Sequence, residues 1–141
     1  MVTGCDVVDV ARLAGVVQRR DGFVARVFTD AEVADCTRGG VAVDAPVAAA
    51  RFAARFAAKE AARKALGDLR LPFHAVEVRR ADDGAPRLHV HGQPSSLSCS
   101  LSHDGGVAMA IVVGLRSDTT PAAPPPAATS TATPSISDLT T

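Results

Sequence analysis

The chain has 141 residues, of which 47% are hydrophobic and only 4% aromatic. One domain of ordinary size must therefore build its core mainly from Ala, Val and Leu. Basic and acidic residues number 15 each, and this balance argues against a basic nucleic-acid-binding protein. No apolar run reaches the ~18 residues of a membrane-spanning helix, and the first residues lack a secretion signal. Three cysteines without CxxC spacing favour a reducing compartment, so we expect a cytoplasmic protein without nucleic-acid or membrane partners.

Composition changes abruptly after Arg116. Residues 117–141 are almost wholly Thr, Pro, Ala and Ser, and their only charges are Asp118 and Asp138. Such a segment offers too little apolar surface to offset the entropy lost on ordering. We therefore predict a folded domain over residues 1–116 and a disordered tail over residues 117–141.

The first part of the domain predicts a short strand followed by helices. Residues 2–5 are a candidate strand, and residues 9–20 place apolar side chains at helical spacing. The pair at 21–22, Asp-Gly, is typical of a turn. Thr29 and Glu32 have the spacing of a capping box, which predicts the start of another short helix.

A long helix is predicted between Pro46 and Gly67. The intervening sequence, VAAARFAARFAAKEAARKAL, is dense in Ala, Leu, Lys, Arg and Glu, the strongest helix formers. Proline suits the first turn of a helix, and glycine suits the position that ends one. This segment is therefore the natural centre of the domain.

Beyond the long helix, the hydrophobic period changes from helical spacing to alternation. Two alternating segments, 75–79 and 87–91, flank a polar turn, and a second pair, 98–102 and 107–113, flanks Asp-Gly-Gly. Helices followed by paired strands indicate the α+β class, with the long central helix packed on a small antiparallel sheet.

The long helix carries two charge patterns. Glu60 and Lys64 are four residues apart and so share one helix face, as an ordinary exposed ion pair would. Four basic residues also recur every four positions, and their mutual repulsion requires either solvent or a bound phosphate to screen it. These residues are Arg51, Arg55, Lys59 and Arg63.

Two further candidate residues lie far from this helix in sequence. Asp6 ends the predicted first strand, two residues after Gly4, which permits a close backbone approach. Asp6 by itself is also a candidate cap for the following helix. His103 ends a later strand, after Ser100 and Ser102, beside a glycine-rich turn.

Together these motifs resemble the short holo-acyl-carrier-protein synthases, which are 4'-phosphopantetheinyl transferases. The most specific match is the run RFAAKEAARKALG at residues 55–67; Gly4-x-Asp6, Arg12 and the Ser-x-Ser-His ending at His103 occur in the same order. The resemblance spans about residues 2–114. It implies a phosphopantetheinyl-transferase-like fold that assembles as a homotrimer, with active sites between subunits.

The resemblance also implies an activity. Family members transfer the 4'-phosphopantetheine arm of coenzyme A to a serine of apo acyl carrier protein, release 3',5'-ADP, depend on Mg²⁺ and serve fatty acid or polyketide biosynthesis. It makes Asp6, Glu60 and Lys64 the catalytic residues, with Asp6 and Glu60 holding Mg²⁺ and Glu60 the candidate base. The resemblance further implies four residues that bind coenzyme A: Lys64, Arg55, Gly67 and His103.

Mg²⁺ prefers oxygen ligands and keeps several waters, so one or two carboxylates beside a diphosphate suit it. One departure from the family is Gly-Asp-Leu at residues 67–69, where relatives commonly have Gly-Thr-Gly or Gly-Ser-Gly.

A partner surface is predicted from three arginines spaced by seven residues: Arg12, Arg19 and Arg26. The carrier proteins of the family are acidic, and a basic face would steer them toward the enzyme. An ordinary solvated helix surface is the alternative. Two rival functions also stay open: a non-catalytic module that binds acyl carrier protein or coenzyme A, and a purely structural α+β protein.

Overall fold

The computed structural model describes residues 1–115, so Arg116 and the predicted tail at 117–141 lie outside the described residues. The architecture is α+β, as predicted, and a single 3-10 turn, Phe73–Ala75, precedes the second strand. The elements in chain order are β1 (Val2–Asp9), α1 (Val10–Arg19), α2 (Phe23–Val27), α3 (Asp30–Cys36), α4 (Pro46–Leu66), β2 (Val76–Arg80), β3 (Pro86–Val90), β4 (Gln93–Pro94), β5 (Ser98–Asp104) and β6 (Val107–Gly114).

Helix α4 is the long helix predicted from the sequence, and it forms the axis of the core. Pro46 occupies its first turn, and Gly67 ends it in the left-handed conformation with φ 71°. Alanines at most of its buried positions let neighbouring backbones approach closely, while Phe52 supplies bulk. A helix that buries most of its circumference lies inside a domain rather than on its surface.

The strands form two antiparallel sheets rather than the single sheet predicted. One sheet has the order β1-β6-β5 and the other β2-β3-β4. Strand β1 is longer than residues 2–5 and pairs with β6 along its whole length, from Val2 opposite Gly114 to Asp9 opposite Val107. The prediction of one sheet was wrong. Which strand pairs joined into a common sheet depended on contacts between remote segments, such as β1 with β6, and these leave no local signal in the sequence.

The helices before α4 were predicted in part. Asp9, rather than Asp6, caps α1, since its carboxylate accepts a hydrogen bond from the Arg12 amide at 2.8 Å. The capping box predicted for α3 is confirmed, because both Thr29 and Glu32 make their reciprocal bonds. The short helix α2 was missed.

One face of the β1-β6-β5 sheet packs against α4, and no segment within residues 1–115 covers the other. The uncovered face presents apolar side chains from β1 and from alternate positions of β6: Val7, Val107, Met109, Ile111 and Val113. An exposed apolar patch of this kind marks an interaction surface. Within residues 1–115, no helix combines the length and apolar character needed to cross a membrane.

Candidate active site

Gly4 lets strand β1 cross directly over helix α4. A Cβ atom added at Gly4 would lie 2.8 Å from the carbonyl carbon of Ala61 and 2.9 Å from the amide nitrogen of Ala65. Both atoms belong to the helix backbone and cannot swing away. The glycine is therefore required by packing. Asp6, two residues further along the strand, faces the same side as Gly4 and so points toward α4.

Lys64 joins the two elements at this crossing. Its ammonium Nζ donates to the Asp6 carboxylate Oδ1 at 2.9 Å and to the carbonyl oxygen of Cys5 at 2.9 Å. The hydrogen bond to Asp6, supported by the negative charges of Asp6 and Glu60, raises the pKa of Lys64 above its usual range. Two sequence-predicted residues, Asp6 and Glu60, thus both act on the third, Lys64, in the folded chain.

Glu60 does not form the exposed ion pair with Lys64 that the spacing allowed. Its carboxylate pairs with Arg63 at 2.9 Å instead, while Lys64 turns to Asp6. The choice has a geometric cause, because β1 crosses the helix beside Lys64 and offers it both a carboxylate and a carbonyl oxygen. Two carboxylates and an ammonium group therefore line this crossing.

The donor set of this cluster fits Mg²⁺. Carboxylate oxygens are hard ligands, and Mg²⁺ binds through one or two of them while substrate phosphates and waters complete its shell. In the part of the chain that the structure describes, no cluster of three or more metal-ligating side chains is found. A cage built only from protein ligands is therefore absent over residues 1–115, whereas a site shared with a diphosphate needs only Asp6 and Glu60.

The four basic residues spaced along α4 do not form a solvated face. Lys59 is 0% exposed and pairs with Glu32 at 2.7 Å, and its Nζ also donates to the carbonyl oxygens of Phe73 at 3.0 Å and Val76 at 2.5 Å. Burial lowers the pKa of Lys59, and the charge of Glu32 opposes that shift. The protein itself supplies a carboxylate for Arg55, Lys59 and Arg63, so solvent does not screen the buried members of this ridge.

Glu32 is a key structural residue that sequence reasoning placed only in a helix cap. Besides Lys59, its carboxylate accepts hydrogen bonds from the amides of Thr29 at 2.9 Å and Val78 at 2.8 Å. It thus ties α3, α4 and β2 together at one buried point. The capping-box spacing located the residue, but the partner on α4 depends on tertiary packing.

A second cluster, the arginine cavity, lies on the other side of α4. This cavity of about 380 Å³ contains two of the predicted coenzyme A ligands, Arg55 and His103, together with Ser100 of β5. Four more arginines line it, and of these only Arg51 belonged to the predicted basic ridge. The four are Arg38, Arg51, Arg79 and Arg80.

The two clusters occupy opposite edges of the β1-β6-β5 sheet. Val8 of β1 and His103 of β5 are both register partners of Ala108 on the central strand, so the two outer strands lie about 10 Å apart. The fold brings together Asp6, Glu60 and Lys64 on one side, and Arg55 with His103 on the other. Gly67 ends α4 beyond the first cluster.

The three arginines predicted as a partner surface are all exposed but do not lie on one helix. Arg12 and Arg19 belong to α1, whereas Arg26 belongs to α2, and the chain turns between them at Gly22 with φ 77°. The seven-residue spacing therefore does not extend along a common axis, and that part of the prediction was wrong.

Arg12 borders an apolar surface groove. With Arg20 it flanks a groove of about 360 Å³ whose walls are apolar side chains of β1, α1, the start of α2 and α4. These are Val8, Leu13, Val16, Phe23 and Phe56.

Comparison with known proteins shows the family of the chain. The family model described as the 4'-phosphopantetheinyl transferase superfamily matches residues 3–112. A holo-[acyl-carrier-protein] synthase of Frankia alni is 42% identical over 119 residues, covering 78% of this chain and 92% of the relative. One from Chloroflexus aurantiacus is 38% identical over 129 residues, covering 78% and 94%.

Solved structures agree as well. The crystal structure of Helicobacter pylori holo-[acyl-carrier-protein] synthase in complex with coenzyme A has a TM-score of 0.65 at 29% identity, covering 79% of this chain and 97% of that one. The enzyme of Bacillus anthracis in complex with coenzyme A (3',5'-ADP) gives 0.66 at 29% identity, covering 79% and 92%. The matches in sequence and in fold span the described domain, and this chain belongs to the holo-[acyl-carrier-protein] synthase family of the 4'-phosphopantetheinyl transferase superfamily.

Proposed function

We propose that the protein transfers the 4'-phosphopantetheine arm of coenzyme A to a serine of apo acyl carrier protein and releases 3',5'-ADP. The observation that carries this proposal is the contact of Lys64 with Asp6, which joins two motifs 58 residues apart in the chain, with Glu60 near Lys64. The complexes of two relatives with coenzyme A support the choice of donor.

In the proposed reaction, the carrier serine oxygen attacks the phosphorus next to the pantetheine arm. The new phosphorus–oxygen bond forms as the bond to 3',5'-ADP breaks, and the serine proton passes to Glu60, directly or through water. Mg²⁺, held by Asp6 and Glu60, would supply charge neutralisation at the diphosphate. Lys64 is protonated at neutral pH, and the hydrogen bond to Asp6 raises its pKa further, so its ammonium group stabilises the departing 3',5'-ADP as a fixed positive charge.

The nucleotide phosphates are proposed to bind in the arginine cavity, with Arg55 and His103. Within one chain this cavity and the Asp6 cluster lie at opposite sheet edges, which favours a site completed by a neighbouring subunit. The uncovered apolar face of the β1-β6-β5 sheet supports association of chains. We therefore propose a homotrimer with active sites between subunits.

The acidic carrier protein is proposed to dock beside α1. An apolar groove flanked by Arg12 and Arg20 suits a helix that presents acidic side chains around an apolar one. Arg19 and Arg26 are exposed nearby in sequence and would add long-range attraction. We place the reaction in the cytoplasm and in fatty acid or polyketide biosynthesis, and comparing several purified carriers would identify the one served.

Transfer is tested by mixing the protein with apo carrier protein, coenzyme A and Mg²⁺ and measuring the mass of the carrier. We expect addition of the phosphopantetheine arm. Glu60→Gln should slow transfer at least about 100-fold with the fold intact, because one ligand of the proposed metal and the proposed base are lost together. Asp30→Asn, which removes one carboxylate charge at an exposed position of α3, should transfer at the original rate.

The rival functions predict different results in the same assay. Coenzyme A binding without a mass gain at micromolar enzyme would favour the non-catalytic module. Absence of coenzyme A binding would favour a structural protein. Transfer by Glu60→Gln at the unaltered rate with saturating Mg²⁺ would contradict the role assigned to Glu60.

Docking is tested by charge reversal on α1. Arg12→Glu should raise the KM for carrier protein about tenfold or more while leaving coenzyme A binding unchanged, since attraction becomes repulsion at the groove. Arg87→Glu, an equal change on the exposed side of β3, is the control. Equal effects of the two variants would contradict docking at this groove.

A further inference from the structure

The arginine cavity contains an acidic residue in its wall. Asp35, near the end of α3, pairs through Oδ1 with Arg38 at 3.2 Å and through Oδ2 with Arg55. Its side chain is only 19% exposed, so it approaches these guanidinium groups from the protein side. One carboxylate therefore bridges two of the arginines that line the cavity.

Arg55 is the buried member of the arginine cavity, so the neutralisation of its charge depends on this carboxylate more than that of the other, more exposed arginines. The residue is only 7% exposed, and its Nη1 donates to the carbonyl oxygen of Arg51 at 3.3 Å. Its buried Nε has no hydrogen-bond partner within residues 1–115. Burial lowers the pKa of Arg55, with desolvation as the largest cause. A buried guanidinium with spare donors requires an anion.

The rest of the cavity wall carries excess positive charge. Within residues 1–115, Arg51 donates only to the carbonyl oxygens of Cys36 and Arg38, which are neutral acceptors. Arg80 has no acidic partner within 4.0 Å among the described residues, since none of the ion pairs found there includes it. Glu77 pairs with Arg79, and Asp35 is the acid that pairs with both Arg38 and Arg55 in this wall.

We infer that Asp35 is an internal counter-ion that competes with incoming phosphate for Arg38 and Arg55 and thereby sets the anion affinity of the arginine cavity. In the free protein, the carboxylate holds the two guanidinium groups. A phosphate that enters must share them with a negative charge already present. The inference rests on the proposed function only for the identity of the ligand as a nucleotide phosphate.

The test is Asp35→Asn, which removes the charge while retaining shape. Calorimetry at fixed ionic strength would measure binding of 3',5'-ADP and, separately, of inorganic phosphate. We expect the Kd for 3',5'-ADP to fall about tenfold, because Arg55 loses its competing anion. A parallel gain with inorganic phosphate would assign the effect to the phosphate group alone. Asp30→Asn, the same charge change at an exposed position of α3, should alter either Kd less than threefold.

Thermal unfolding provides a second measurement. The free Asp35→Asn protein should melt at a lower temperature, and saturating 3',5'-ADP should recover that loss, since the ligand replaces the missing charge. A variant that folds only with 3',5'-ADP would support the inference in the same way. A variant that stays unfolded with the ligand, or whose Kd is unchanged or raised, would overturn it and leave Asp35 a purely structural role.

These outcomes are separate from the test of the proposed function, since no transfer is measured. Tighter anion binding without transfer activity would contradict the proposed function and support the inference. Active transfer by the unaltered protein, together with an unchanged Kd in Asp35→Asn, would support the proposed function and contradict the inference.

Discussion

Lys59 and Lys64 are the only lysines in the chain. They lie five residues apart on one helix but in different surroundings. Lys59 is fully buried and neutralises Glu32, whereas the side chain of Lys64 is 45% exposed and reaches Asp6. Burial lowers the pKa of Lys59, and the hydrogen bond to Asp6 raises that of Lys64. Neighbouring residues of the same type can thus serve structure and chemistry separately.

This difference predicts two distinct lysine titrations. In protein labelled at the lysine side chains, NMR should show one signal that titrates below the usual value of 10.5 and one above it. Asp6→Asn should move the higher pKa downward and leave the lower one unchanged. Two signals with the same pKa, or a shift of both in Asp6→Asn, would contradict the assignments.

The two lysines also affect stability in opposite directions as pH rises. The raised pKa of Lys64 gives a contribution present below pH 10.5 and lost above it. The pKa of Lys59 is lowered in the folded chain, so the unfolded chain binds more protons between that lowered value and 10.5. The contribution of Lys59 to stability therefore rises with pH over this range. Lys64→Met should therefore remove a loss of stability above pH 10.5, measurable by denaturant unfolding at several pH values.

At the scale of elements, the crossing of β1 over α4 determines where Asp6 lies. The strand can approach the helix because Gly4 has no side chain and Ala61 and Ala65 have small ones. A larger residue at any of these positions would separate the two backbones. The distance from Asp6 to Lys64 depends on this approach.

Gly4→Ala is therefore expected to damage both stability and activity. The added methyl meets helix backbone, and such overpacking costs about 1–3 kcal/mol; displacement of Asp6 should also lower kcat. Gly15→Ala is the matched control, because the methyl there meets only the end of the Arg19 side chain at 3.1 Å, and alanine favours the helix interior. Denaturant unfolding and transfer rates measure both variants, and equal effects would contradict the crossing as the cause.

At the scale of the whole molecule, the uncovered face of the β1-β6-β5 sheet exposes apolar side chains to solvent in a single chain. Apolar residues of β6 alternate outward along its length, with Ile111 in register opposite Cys5 of β1. Helix α4 packs on the opposite face. In the proposed homotrimer, other copies would cover this apolar area.

Ile111→Glu should therefore convert the assembly to monomers and abolish most of the transfer activity. A charge buried in an apolar interface is costly, whereas the single chain keeps its fold because Ile111 faces outward. Light scattering after size-exclusion chromatography measures the mass. Val47→Glu, at an exposed position in the first turn of α4, should leave mass and activity unchanged. A trimer in Ile111→Glu, or a monomeric unaltered protein that transfers fully, would contradict the proposed assembly.

The sequence alone determined the long helix, the strand pairs after it and the capping box at Thr29 and Glu32, because these features rest on local propensity, periodicity and spacing. The residues proposed for chemistry were identified instead by the motifs that resemble the family. Only the tertiary structure decided that the strands form two sheets, that Lys64 turns to Asp6 rather than Glu60, and that Lys59 is buried. It also assembled the arginine cavity from residues as distant as Arg38 and Arg80. Such partners are chosen by packing between remote segments, for which a single sequence carries no local signal.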